Sequence, residues 1–155
     1  MNKEPQRPPR LSTVFQKYDP PLFFVTFGTF NRIPVLADPA VHDRFIRFGK
    51  EAAGRGTAIG RYVIMPDHIH LFIRPAREQR LGRTIGFLKQ SLSAALKQNG
   101  ERAPHWQPGF FDHLIRSPQS ASEKWEYVRQ NPVRAGLVER PDEWPYCGEI
   151  VPIRY

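Results

Sequence analysis

The sequence predicts an α+β fold, a ferredoxin-like domain with a central antiparallel sheet and helices packed mainly on one side. Strand-like and helix-like segments follow the order β-α-β-β-α-β-α, the two middle strands are close enough to form a hairpin, and the long helical segment before the last strand carries an apolar stripe.

Each element has a local cause. Leu22 to Thr29, rich in Phe, Val and Thr, reads as a strand. Pro39 to Ala53 reads as a helix, with Asp38 as its cap and proline at the first helical position. Thr57 to Met65 and His68 to Arg74 form the hairpin, because Pro66-Asp67 between them is turn chemistry. Helix Gln79 to Gln98 places Ile85, Leu88, Leu92 and Leu96 on one stripe, with Arg83, Gln90 and Lys97 on another. Phe110 to Ile115 reads as a strand. Ser117 and Pro118 then start a last helix, with the capping-box spacing from Ser120 to Glu123. It ends near Asn131-Pro132, since proline disfavours helical geometry in the residue before it.

A chain of 155 residues is expected to form one domain, here 22–155, with the tail held on by Val133, Leu137, Val138, Trp144 and Tyr146. Residues 1–21, basic and proline-bearing, read as a flexible arm. No apolar run has membrane length and the N-terminus has no signal-like stretch, so a cytoplasmic protein that does not enter a membrane is expected. The single cysteine excludes an intrachain disulfide framework. The net charge of +8 suits a phosphate-bearing partner, and no helix-turn-helix or zinc-finger pattern suits B-form DNA.

The chemistry concentrates in two places. In RYVIMPDHIHLFIRP, His68 and His70 are two residues apart on a strand, so both project from the same face, spaced to hold one metal ion. Near the C-terminus, Tyr127 sits in the last turn or so of the final helix. If the helix continues through Asn131, the phenol and the amide share a face. His113 in the last strand is a rival third ligand, whereas His42 and His105 have no spacing that suggests chemistry.

MPDHIHLFI, followed after a helix and a strand by YVRQNPVRAGLV, resembles the HUH-type single-tyrosine transposases, and within them the REP-associated tyrosine transposases of the IS200-like family. The resemblance extends from FFVTFGTFNRIPVL through WQPGFFDHLIRS to EWPYCG. It implies that Tyr127 is the nucleophile and that His68, His70 and Asn131 bind a divalent metal, Mg2+ or Mn2+. Many relatives carry Asn where this chain has Asp67, and others carry Gln in place of Asn131; neither change removes a required group. The implied reaction is cleavage and rejoining of single-stranded DNA beside a REP-like hairpin, through a 5′-phosphotyrosine link. A monomer is expected.

Arg74, Arg83, Lys89, Arg116, Arg129 and Arg134 are the candidate nucleic-acid contacts, joined by Arg77. Phe110, Phe111, Trp106 and Trp125 are candidate base-stacking residues, although most are expected in the core, with Trp125 facing inward. Two other readings compete. One is a non-catalytic module of the same fold that binds DNA or RNA hairpins. The other is a metal-dependent phosphoesterase with water as nucleophile.

Overall fold

The computed structural model describes residues 21–154, so the predicted arm over residues 1–21 lies, but for Pro21, outside the described residues. The chain forms β1 (Leu22–Gly28), α1 (Pro39–Ala53), β2 (Ala58–Ile64), β3 (His68–Arg74), α2 (Leu81–Gln98), β4 (Phe111–Ile115), α3 (Pro118–Arg129), α4 (Asn131–Arg134) and β5 (Cys147–Glu149). These build a five-stranded sheet in the order β4-β1-β3-β2-β5, with every neighbouring pair antiparallel. No helix among the described residues is long and apolar enough to cross a membrane.

Alternation along the strands divides the interior into two layers. Val25 and Phe27 of β1 and Ile69, Leu71 and Ile73 of β3 face α1 and α2, where they meet Phe45, Leu88 and Leu92. Each such side chain contributes about 1.5–3 kcal/mol relative to leaving it exposed. The helices α1 and α2 pack together on one side of the sheet, the arrangement predicted for most of the helices. The opposite face is covered by α3 and the tail, with Leu22, Phe24, Phe72 and Ile115 packed against Val128 and partly buried Trp125 and Trp144. Trp125 faces inward as expected.

One irregularity keeps β2 in this scheme. The pairing with β3 slips between Ile59 and Tyr62, so Ile59, Tyr62 and Ile64 all join the α1/α2 layer although strict alternation would divide them. Val63 consequently lies opposite His70, on the α3 side.

Local signals account for most boundaries. The Asp38 carboxylate accepts from Ala40 N at 2.9 Å and Val41 N at 3.1 Å, and α1 begins at Pro39 as predicted. By contrast α2 starts at Leu81, two residues late, because Arg80 is extended and Gln79 is held in a turn by Ala76 O. The capping box also differs: Ser117 pairs with Ser120, not Ser120 with Glu123, and Glu123 accepts from Gln119 instead. In the tail, Trp144 and Tyr146 pack as expected, whereas Leu137 is exposed, and the short β5 along β2 was not predicted.

Candidate active site

His68 and His70 lie on β3 directly opposite Gly28 and Thr26 of β1. Their side chains, with Phe72, point to the α3 face, while Ile69, Leu71 and Ile73 between and beyond them are buried under α1 and α2. The two imidazoles are 4.7 Å apart, ring to ring, and nearly perpendicular. Phe24 stacks on His70 at 5.5 Å. The strand pleat thus produces the shared face anticipated from the H-x-H spacing.

Hydrogen bonds orient both rings. His68 Nδ1 lies 2.8 Å from Asp67 Oδ1, and Asp67 Oδ2 pairs with Arg32 Nε at 2.8 Å. Burial raises the Asp67 carboxyl, but the hydrogen bonds from Arg32 and His68 outweigh it and hold the group below the usual carboxylate range. An ionised carboxylate only accepts, so His68 Nδ1 carries a proton and donates. His70 Nδ1 is 2.8 Å from Thr26 Oγ1, and its Nε2 is 2.9 Å from the Asn131 amide nitrogen. An amide N–H donates, so the His70 lone pair is on Nε2 and Nδ1–H donates to the threonine. Burial, then the charges of His68, Lys124 and Arg134, push His70 down to about 3, which keeps this imidazole neutral. Both rings therefore point an Nε2 away from an anchored Nδ1, the arrangement of metal-ligating histidines with their oxygen partners behind them.

The tyrosine reaches this face on a well-started helix. Ser117 Oγ accepts from Ser120 N at 3.0 Å, and Pro118 follows it. Val128 anchors α3 to the sheet, leaving Tyr127 62% exposed beside the histidine pair's layer. The helix does not continue unbroken through Asn131. It closes with a tight bond from Gln130 N to Tyr127 O, and α4 restarts at Asn131 with Pro132 in its first turn. Proline needs no amide partner there, so the break costs little direction and Asn131 still reaches His70. Arg134 completes the cluster: its guanidinium donates to Asn131 Oδ1 and lies 3.9 Å from the centre of the Tyr127 ring.

Of the predicted site residues, His68, His70, Asn131, Tyr127 and Arg134 converge. His113 does not: it is exposed opposite Phe24 of β1, and Asn131 takes the position beside His70. Lys89 turns its ammonium to the carbonyls of Gln107 and Gly109, at 3.1 and 2.8 Å. Arg83 covers Phe87 on the α2 side of the sheet, away from the histidines. Arg74 bonds Arg154 O at the far end of β3, Arg116 is exposed between β4 and α3, and Arg129 pairs with Glu126 one turn back at 3.5 Å.

Thr26 and Lys124 are among the residues of the site that escaped sequence reasoning. Thr26 becomes visible only once β1 is in register with β3. Lys124 places its ammonium 5.2 Å from the Phe24 ring and is one of the charges felt by His70. Its spacing, three residues before Tyr127 and seven before Asn131, was a legible signal of a shared helix face.

Among the described residues no three His, Cys, Asp or Glu side chains are placed to hold a metal ion together, so the metal-capable donors here are two imidazoles and an amide. Such a set leaves positions open for a substrate.

The model of the family described as "Transposase IS200 like" matches residues 23–131, from the start of β1 to Asn131. A Haemophilus influenzae protein assigned to the REP-associated tyrosine transposases is 32% identical over 94 residues, covering 54% of this chain and 53% of that one. The REP-associated tyrosine transposase of Escherichia coli K12 is 26% identical over 89 residues, covering 57% and 52%. The chain thus spans about half the length of the curated relatives it matches. The solved structure of a REP-associated tyrosine transposase bound to a REP hairpin superposes with a TM-score of 0.69 at 22% identity, over 83% of this chain and 76% of that one, and shares the fold. With the family model matching most of its length, this chain belongs to the IS200-like transposase family.

Proposed function

We propose that this protein is a transposase that cleaves and rejoins single-stranded DNA beside a REP-like hairpin, with Tyr127 as nucleophile. The observation that carries the reading is the 2.9 Å contact between Asn131 and His70 Nε2, which joins the tyrosine segment to the H-x-H strand. The names of the relatives support the substrate: those proteins are REP-associated, and one is solved with a REP hairpin.

The donor set fits a divalent ion, Mg2+ or Mn2+. His68 and His70 would offer Nε2, their Nδ1 atoms being occupied by Asp67 and Thr26. Asn131 would offer its oxygen after the amide turns over, which exchanges its two ends and releases Arg134. Imidazoles suit Mn2+ better than Mg2+. When bound, the ion supplies polarisation of a non-bridging phosphate oxygen and offsets charge developing there.

The protein's own groups do the rest. A phenol with an ordinary pKa near 10 is a weak nucleophile, so its placement matters. Its ring is held by Arg134, and its exposure leaves the oxygen accessible to a strand lying over the sheet face. Tyr127 Oη attacks phosphorus as its proton passes to water, and the bond from phosphorus to the 3′-oxygen breaks, so that this oxygen takes a proton from water and leaves as a hydroxyl. The 5′-phosphotyrosine retains one phosphodiester, so a second 3′-hydroxyl can displace the phenol and join strands without an outside energy source. Lys124 and Arg134 lend positive charge along the path of the phosphates.

Incubating labelled single-stranded hairpin DNA with Mn2+ tests the reading. Cleavage is expected from the native protein and is lost in His68→Ala and His70→Ala. Hairpin binding without cleavage under all metal conditions would replace it with the non-catalytic module.

A further inference from the structure

Beside the histidine pair, on the side away from β2, the sheet carries a feature the strand-cleavage chemistry leaves unused. His70 of β3, Thr26 of β1 and Phe111 of β4 are consecutive partners across three strands, so their side chains share the site's face. Phe111 is 71% exposed there, more than any other large apolar side chain described. Phe110 points the other way and packs against the α1/α2 core.

Next to Phe111 lies a cleft of about 190 Å³ whose lining takes in the core-side Phe27 and Phe110 as well as Thr26, Gly28, Gln107 and Phe111, roomy enough for one planar base. Its floor is open because residue 28 has no side chain. A Cβ at Gly28 would stand 3.2 Å from Asp67 O, 3.7 Å from Gln107 Oε1 and 3.7 Å from the His68 Cβ. The same distances place the Gln107 amide at the cleft beside His68, where it offers both a donor and an acceptor.

The loop that presents Gln107 is braced in advance. Gln107 N donates to Gly28 O at 3.0 Å, and Lys89 Nζ donates to the carbonyls of Gln107 and Gly109. Trp106 Nε1 donates to Lys89 O at 3.1 Å and to Ser93 Oγ at 2.9 Å. A flat exposed ring, an amide carried on a braced loop and a base-sized gap, one strand from His70, are the parts of a single-nucleotide seat.

We propose that this cleft seats one unpaired nucleobase adjoining the scissile phosphate, with Phe111 stacked on its face and the Gln107 amide reading its edge. This makes Phe111 and Gln107 specificity-determining residues. The inference rests on the single-stranded DNA reading above.

The test is fluorescence-anisotropy titration of wild type, Phe111→Ala, Phe111→Trp and Gln107→Ala with a hairpin bearing single-stranded flanks, its flankless form, and flanks with one abasic site moved along them. Phe111→Ala is expected to weaken binding of the flanked hairpin by about five- to a hundredfold, the range covered by stacking of one base. Phe111→Trp restores binding, and the flankless hairpin is unaffected. One abasic position reproduces the loss in wild type and adds nothing in Phe111→Ala. Gln107→Ala flattens the preference among the four bases at that position. Equal losses on flanked and flankless hairpins, or none on either, would overturn the proposal while leaving the hairpin reading intact. Failure of wild type to bind any flanked hairpin would overturn both.

Discussion

Arg134 lies with its guanidinium carbon 3.9 Å from the centre of the Tyr127 ring while it donates to the Asn131 side-chain oxygen. One side chain thus ties the proposed nucleophile to the proposed ligand across the break between α3 and α4. A cation over an aromatic face is worth about 0.5–2 kcal/mol, and each 1.36 kcal/mol is about tenfold in rate. Arg134→Ala is therefore expected to slow single-turnover strand cleavage about tenfold. Arg134→Lys recovers only part, because a compact ammonium cannot stack on the Tyr127 ring as the planar guanidinium does. An unchanged rate in Arg134→Ala would refute the bracing role.

Asp67 tests the orientation of His68. The carboxylate accepts from His68 Nδ1 and also pairs with Arg32. Asp67→Asn keeps an oxygen for the imidazole and is expected to change Mn2+ affinity little, whereas Asp67→Ala lowers it by roughly 10–100-fold. Isothermal titration with Mn2+ reads the difference; similar affinities in wild type and Asp67→Ala would show that the ring needs no such anchor.

The Ser117 cap tests how firmly the tyrosine helix is held. Its hydroxyl satisfies the Ser120 amide, and loss of such a cap costs about 1 kcal/mol. Ser117→Ala should lower stability by that amount in urea denaturation, while Ser117→Asp should retain it. A Ser117→Ala protein as stable as wild type would mean the helix start is held by Pro118 and packing alone.

Tyr62 gives a pH signature away from the site. Its ring is buried, its hydroxyl lies 2.8 Å from His42 Nε2, and burial, followed by the nearby Cys147, pushes the phenol up to about 12. A folded pKa above the unfolded value near 10 means the contribution is fully present below pH 10 and is lost as pH rises to about 12. Stability of the wild type should therefore fall more steeply over that window than stability of Tyr62→Phe. Parallel curves in chemical denaturation would contradict the assigned burial.

The parts of this molecule that local chemistry dictates were legible before any coordinates. Asp38-Pro39 starts α1, Ser117-Pro118 starts α3, Pro66-Asp67 turns the hairpin, and the H-x-H spacing puts both histidines on one face. The resemblance supplied the role proposed for Tyr127. What stayed hidden depends on contacts between distant segments. The Thr26 partner of His70 requires the β1–β3 register, and the pairing of β5 along β2 joins a three-residue strand to one far earlier in the chain. The slip between Ile59 and Tyr62 breaks the period on which strand reading relies. The break at Gln130 lay between the two outcomes Pro132 allowed, since proline can end one helix or begin the next.

The account turns on a covalent bond at one atom, and denaturing gels of labelled hairpin DNA incubated with Mn2+ test it most directly. The prediction is a protein–DNA adduct in wild type, mapped by peptide mass spectrometry to Tyr127 and absent in Tyr127→Phe, which should fold normally because the ring is largely exposed. Cleavage that persists in Tyr127→Phe without an adduct would assign the attack to water and contradict the tyrosine mechanism.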